Sequence, residues 1–248
     1  MTTFSLSQYQ ALTDELKSGV DKLSQKKEEL VPAAQKSGDK WYIPQEIADA
    51  IMWIAEKMQE FAKWVLEKIN DALKAAAAPI TLFRVSTDWV DKIKTPVSAV
   101  QGQTDWKALQ APRHWKGEAS DLYMSSVRGQ SSAAGRIGTI ADQVSTSCTI
   151  CASTGLVFYG ALAAVLAKFI IGTVAAIGAL MTGVGAPVAG AIFLEEAAFN
   201  ATVIGGAVMA AIAALGTQIE ELNRIKGEAQ SDSDFPGPPS GKWPKGTA

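Results

Sequence analysis

The fold is decided by residues 148–194, CTICASTGLVFYGALAAVLAKFIIGTVAAIGALMTGVGAPVAGAIFL, which contain a single charged residue, Lys168. The uncharged runs on either side of Lys168 are each long enough to cross a hydrocarbon core of about 30 Å as a helix. The phrase GVGAP at 183–187 joins helix-ending glycines to a proline and predicts a turn. We therefore predict a helical hairpin with an apolar tip and arms at residues 148–182 and 188–226.

Charged residues inside this hairpin are few, and insertion into a bilayer would be costly for them. Lys168, Glu195 and Glu196 would each cost about 2.5 to 3.5 kcal/mol at a bilayer centre on insertion scales, so they must face one another, water or protein. Lys168 lies farther from the turn than the glutamates, so a direct pair requires an offset between the arms. The candidate membrane residues of the hairpin are Lys168, Gly183, Gly185, Pro187, Glu195 and Glu196.

Two interpretations of the hairpin remain open. The turn carries no charge, whereas the outer ends are basic, so a hairpin that inserts should do so tip first. Alternatively, the hairpin is the buried core of a soluble helical assembly. The flanking basic residues are Arg128, Arg136, Arg224 and Lys226.

Upstream of the hairpin the periodicity is helical. Residues 6–38 predict an amphipathic helix that ends near Gly38. A second helix follows Pro44 and carries an apolar stripe, which either packs into the chain's own core or receives a partner helix. The candidate partner-helix face is Ile47, Ile51, Ile54, Met58, Phe61 and Val65.

The domain organisation follows from these patterns. Pro79 predicts a kink or restart of the helix, and Pro96 predicts a bend. Because no long stretch alternates with period two, the sequence predicts an all-α, elongated helical bundle. We expect an amphipathic helical domain at 1–146, the hydrophobic hairpin at 147–226, and a disordered Gly/Pro/Ser-rich tail at 227–248.

Composition excludes several function classes. The 23 basic and 25 acidic residues give a net charge of −2, which offers no field to attract nucleic acid. His114 is the only histidine and has no cysteine beside it, so neither a metal site nor a catalytic dyad is expected. Cys148 and Cys151 lie on an apolar helix face, which favours buried thiols over a redox pair, although an intrahelical disulfide stays open. We expect no enzyme activity, no cofactor and no small-molecule substrate.

A Trp-x-Gly corner precedes the hairpin. The stretch WKGEASDLY at 115–123 places Trp115, Gly117, Ala119, Asp121 and Tyr123 at alternate positions. An indole can fill the gap between two antiparallel helices, while glycine permits a tight backbone path. We therefore expect a helix-turn-helix corner with a buried indole.

This W-x-G-x-A-x-D-x-Y pattern resembles the WXG family of type VII (ESX) secretion substrates, and more closely its larger ESX-secretion-associated members with an apolar segment after the corner. The resemblance implies an all-helical protein that is exported without a cleaved signal and acts by binding and at membranes. The N-terminus, MTTFSLSQYQALTDELKSG, has no feature of a Sec signal peptide, which agrees with that expectation. The family's Tyr-x-x-x-Asp/Glu export signal is not found after the corner; its only match is Tyr42 to Glu46.

Three functions remain as hypotheses. The first is a type VII secreted interaction protein, secreted or held in the cell envelope, that associates with membranes, with a helical partner or with itself through the hairpin. The second is a pore-forming or translocation module in which inserted hairpins line a channel with Lys168, Glu195 and Glu196. The third is an integral membrane protein with two spans.

Overall fold

The computed structural model describes residues 4–182, 186–233, 235 and 242–244. The chain is 87% helical and the described residues contain no strand, so the predicted all-α helical bundle is confirmed. A π-helical segment, Trp89–Lys94, separates α3 from α4. The helices are α1 Leu6–Gly38, α2 Gln45–Lys74, α3 Ala78–Asp88, α4 Thr95–Thr104, α5 Ala111–His114, α6 Glu118–Met181 and α7 Ala186–Ala229.

Prolines mark several of the helix boundaries. Pro44 is the N-cap residue of α2. Pro79 lies in the first turn of α3, so the helix restarts there, where the missing N–H of proline costs nothing. The π-helical segment comes directly before Pro96, and its widened turn is marked by the Thr95 hydroxyl, which donates to the Val90 carbonyl at 3.0 Å. The sequence predicted a bend at Pro96, and the structure has a π-helical segment there, because proline cannot donate the hydrogen bond of a regular α-turn.

The chain forms two compact units, and each is made of segments that are distant in sequence. The first unit comprises residues 1–78 and 154–212, and the second comprises residues 79–153 and 213–248. The sequence-based division at 146/147 falls inside α6, which is continuous from Glu118 to Met181. Helices α6 and α7 therefore contribute to both units.

In the first unit, the core joins α1 and α2 to the end of α6 and the start of α7. Helix α1 approaches α6 closely at Gly19, where an added Cβ would lie 2.6 Å from Leu166 Cδ2. A larger residue at this position would therefore require the Leu166 side chain to move. The core cluster consists of Leu30, Ala33, Ala34, Ile51, Ala55, Met58, Ala176, Ile177, Leu180 and Ala189.

In the second unit, a smaller core packs α6 against the end of α7. Its buried residues are Ala133, Ile140, Ile225 and Phe235. Phe235 belongs to the segment expected to be a disordered tail, and the Pro244 carbonyl accepts a hydrogen bond from Gln130 Nε2 at 3.4 Å. These described tail residues are therefore packed against α6.

Candidate interaction surface on the hairpin helices

Among the described residues, two helical segments are long and apolar enough to cross a membrane by length and composition: α6, and the part of α7 from Thr202 to Ala229. In α6, 39% of the most apolar window is buried inside the molecule. In α7, none of that window is buried. Composition alone does not distinguish these two helices, because both are rich in alanine, glycine and aliphatic residues, but packing does.

Helix α7 leaves an apolar stripe exposed. Between Gly190 and Arg224, no described side chain of α7 is buried. The exposed aliphatic residues of its second half follow one another at steps of four and three, so they share one face of the helix. This α7 stripe consists of Val208, Ile212, Leu215, Ile219 and Leu222.

Other exposed apolar residues lie elsewhere on the two hairpin helices. On α6, Ile171, Val174 and Met181 are exposed, although the opposite face of the same helix is buried against α1 and α2. On α7, Met209 is 65% exposed and lies beside the stripe. A row of exposed apolar residues on one helix face, such as the α7 stripe, is typical of a surface that contacts a protein or a membrane.

Lys168 lies inside the first unit and contacts charged and aromatic groups of α7. Its Nζ is 3.7 Å from Glu195 Oε1 and 3.6 Å above the ring of Phe199. The direct pair with Glu195 thus forms despite the offset expected from the sequence. The Lys168 side chain is about one-third exposed, whereas Glu195 is largely exposed, so the pair is accessible from solvent.

The remaining predicted residues of the hairpin lie partly outside the described part of the chain. Helix α6 ends at Met181 and α7 begins at Ala186. Gly183 and Gly185, expected in the turn, lie outside the described residues. Pro187 and Glu196 belong to helix α7, but their side chains also lie outside what is described.

The apolar stripe of α2 is used within the chain. Ile51, Met58 and Val65 are buried, and Ile54 and Phe61 are half-buried. Phe61 packs edge-on against Phe169 of α6, with ring centroids 5.3 Å apart. The interpretation of this stripe as a partner-helix face is therefore wrong for these residues, because α1 and the hairpin helices already cover them. Ile47 is the exception, since it is 43% exposed.

The Trp-x-Gly corner has the expected glycine but not the expected indole packing. Gly117 has a φ of 108°, a left-handed conformation that favours glycine, and its carbonyl accepts hydrogen bonds from the N–H groups of Ser120 and Asp121. Ala119 and Asp121 are exposed. Trp115 is 44% exposed, and its ring lies 5.9 Å from that of Tyr123.

The prediction of a buried indole at the corner is therefore wrong. The helix that precedes Trp115 is α5, which has only four residues, Ala111–His114. Since one turn of helix offers little surface, no long antiparallel neighbour encloses the indole from that side.

Two buried tyrosines, which the sequence analysis did not identify, fix α1 and α6 to the end of α2. The hydroxyl of Tyr9 donates to the Ala76 carbonyl at 2.8 Å, and that of Tyr159 donates to the Ala72 carbonyl at 2.6 Å. The two rings meet edge to face, with centroids 5.3 Å apart. Burial, together with the neighbouring Tyr159, raises the pKa of Tyr9 well above its ordinary value. The sequence could not predict the contact between Tyr9 and Tyr159, because helical periodicity does not show which residues from distant parts of the chain meet.

The polar groups considered for chemistry do not converge. Cys148 and Cys151 are free and half-buried on α6, and His114 is exposed in α5. Among the described residues, no three His, Cys, Asp or Glu side chains are grouped so that they could hold a metal ion. The apolar surface of the hairpin helices is therefore the candidate functional site.

Comparison with family models, curated proteins and solved structures found no match for this chain. The resemblance to the WXG family accordingly rests on the motif at residues 115–123 and on the apolar helices that follow it.

Proposed function

We propose that this chain is a membrane-associating helical protein that binds a lipid bilayer through the exposed apolar surface of its hairpin helices. The observation that carries the proposal is the α7 stripe, where no residue of the most apolar window is buried. Exposing such a stripe to water is unfavourable by about 25 cal/mol per Å² of apolar area, so α7 gains free energy when lipid covers it.

The charge distribution agrees with a lipid contact. The α7 stripe is continuous from Val208 to Leu222, and charged residues enter this stretch only at Glu220 and Glu221. Arg224, which forms ion pairs with Glu221 and Glu228, and Lys226 follow, so the charges of α7 begin where a helix leaving the apolar layer would meet headgroups and water. The end of α7 beyond Leu222 is thus suited to the interface.

The Lys168–Glu195 contact also favours the proposal. Charged side chains inside a bilayer pair with each other or face water. Because Nζ and the carboxylate already lie 3.7 Å apart, the first unit can approach lipid without carrying two separated charges. The ring of Phe199 under the ammonium supplies a further partner for the cation.

More specifically, we propose that the chain is a type VII secreted protein that is located in the cell envelope or in the medium. The support for this step is the W-x-G-x-A-x-D-x-Y motif, together with the left-handed Gly117 at the start of α6. Its test is secretion from a host strain: export that stops when the type VII ATPase is deleted agrees with it, and unchanged export contradicts it.

A pore-forming module is the second candidate, and the Lys168–Glu195 pair favours it. If several hairpins inserted side by side, this pair would supply polar groups to line a channel. An integral protein with two spans is the third candidate, since α6 and α7 each have a segment of sufficient length.

Flotation of the purified chain with phospholipid vesicles, combined with release of an entrapped dye, separates these candidates. The proposal predicts that the chain purifies without detergent and floats with the vesicles, and that the dye is retained. Flotation with dye release would favour the pore, and a requirement for detergent would favour the two-span protein. A soluble chain that stays at the bottom of the gradient contradicts the proposal.

A further inference from the structure

The loop between α1 and α2 presents two aromatic side chains to solvent. Trp41 is 94% exposed and Tyr42 is 51% exposed, and the two rings meet edge to face with centroids 5.8 Å apart. We call residues 39–44 the aromatic loop. An indole with so little contact to the rest of the protein contributes almost nothing to folding stability and is available to a partner.

The aromatic loop is held in place by hydrogen bonds. The N–H of Asp39 donates to the Gln35 carbonyl at 3.0 Å, and the N–H of Ile43 donates to the Lys40 carbonyl at 2.9 Å. At the base of the loop, Gly38 approaches Ala48 so closely that an added Cβ would lie 3.3 Å from the Ala48 Cβ. The exposure of Trp41 is therefore a property of an ordered turn.

The aromatic loop lies at the tip end of the hairpin. Lys40 Nζ donates a hydrogen bond of 2.8 Å to the carbonyl of Met181, the last residue of α6. Met181 itself and Val188, in the first turn of α7, are exposed. The aromatic loop therefore lies beside the end of α6, which belongs to the stretch from Phe169 to Leu194 that carries no charge.

We propose that the aromatic loop is a membrane anchor, in which Trp41 and Tyr42 enter the interfacial layer of a phospholipid bilayer beside the hairpin tip. This inference rests on the proposed function and deepens it, because it names a second part of the chain that contacts the lipid. Tryptophan and tyrosine are enriched at membrane interfaces, since each ring combines an apolar body with one polar atom that remains in contact with headgroups and water.

The charges of the loop indicate which lipid it fits. Asp39 and Lys40 carry opposite charges, so the loop has no net attraction for an anionic surface. The loop therefore fits a layer of zwitterionic headgroups. Its affinity for this layer comes from insertion of the two rings and does not depend on electrostatic attraction.

The test is flotation of the full chain with phosphatidylcholine vesicles. Trp41→Ala should lower the partition coefficient by about tenfold, as expected when one large apolar side chain no longer enters the bilayer. Trp41→Phe should retain more of the binding, and Trp53→Ala should bind like the wild type. Trp53 is the matched control because it is exposed, belongs to the same unit and lies about two helical turns from the start of α2.

Each outcome of the flotation experiment either supports or overturns the membrane anchor. Loss of binding in Trp41→Ala alone, with an unchanged melting curve, supports the anchor. Equal binding of Trp41→Ala and the wild type overturns the anchor but leaves membrane association standing. Equal losses in Trp41→Ala and Trp53→Ala also overturn it, and a wild-type chain that does not float removes both the anchor and the proposed function.

Discussion

At the scale of single residues, the sequence predicted the backbone conformation of the Trp-x-Gly corner but not the exposure of its indole. The glycine was predictable, because a tight turn into a helix requires a backbone path that glycine adopts, and Gly117 has a φ of 108°. The burial of Trp115 was not predictable, because it depends on how much helix precedes the corner. The short α5 leaves the indole 44% exposed.

This difference gives a prediction on stability. Gly117→Ala should lower the free energy of unfolding by about 1 to 2 kcal/mol, the cost of placing a residue with a Cβ in the left-handed region. Trp115→Ala should cost less than the roughly 3 to 5 kcal/mol of a fully buried aromatic, since much of the ring already meets water. Urea unfolding of both variants measures these values. Gly102→Ala, in α4 with open space around an added Cβ, is the control that should not destabilise. A loss for Trp115→Ala as large as that of a fully buried aromatic, about 3 to 5 kcal/mol, or no loss for Gly117→Ala, would contradict this description of the corner.

Tyr9 gives a second prediction at this scale, which concerns alkaline pH. Because the pKa of Tyr9 is raised in the folded chain, the neutral phenol is favoured by folding. Its contribution is fully present below the ordinary tyrosine pKa of about 10 and is lost as the pH rises above that value.

The wild type should therefore lose stability above about pH 10 more steeply than Tyr9→Phe, which has no phenol to ionise. Thermal melting between neutral pH and pH 11 measures the two slopes. Tyr42→Phe, at an exposed tyrosine, should follow the wild type, and equal slopes for Tyr9→Phe and the wild type would contradict the account.

At the scale of secondary structure elements, periodicity predicted the helices well and the partners of their faces poorly. The end of α1 near Gly38 and the restart at Pro79 both followed from spacing, glycine and proline. Which apolar stripe is covered did not follow, because the stripes of α2 and α7 have the same step pattern. Long-range packing buries the first and leaves the second exposed.

The core position of the α2 stripe predicts a contrast between two isoleucines. Ile51→Ala should cost about 2 to 5 kcal/mol of unfolding free energy, because Ile51 is 0% exposed and truncation leaves a cavity. Ile47→Ala removes the same atoms one turn earlier, where the side chain is 43% exposed, and should cost much less. Urea unfolding compares the two directly. Similar small losses at both positions would mean that the stripe is free for a partner after all.

At the scale of the whole chain, the sequence predicted a hairpin but not the way in which the chain divides. Each unit combines segments from both halves of the sequence, because α6 and α7 run on through both units. A single boundary in the sequence therefore cannot separate the two units. Because we propose that the exposed α7 stripe contacts lipid, a charge placed there should strongly weaken membrane binding.

Flotation of Ile212→Glu with phospholipid vesicles tests this central claim most directly. Ile212 is 58% exposed in the middle of the stripe, so the substitution should leave the fold intact. A charged residue facing lipid costs about 2.5 to 3.5 kcal/mol, and its cost should lower the bound fraction at least tenfold. Ala210→Glu adds the same charge on the same helix, on the face opposite the stripe, and should float like the wild type. Flotation of Ile212→Glu at the wild-type level, or a wild type that does not float, would contradict the account.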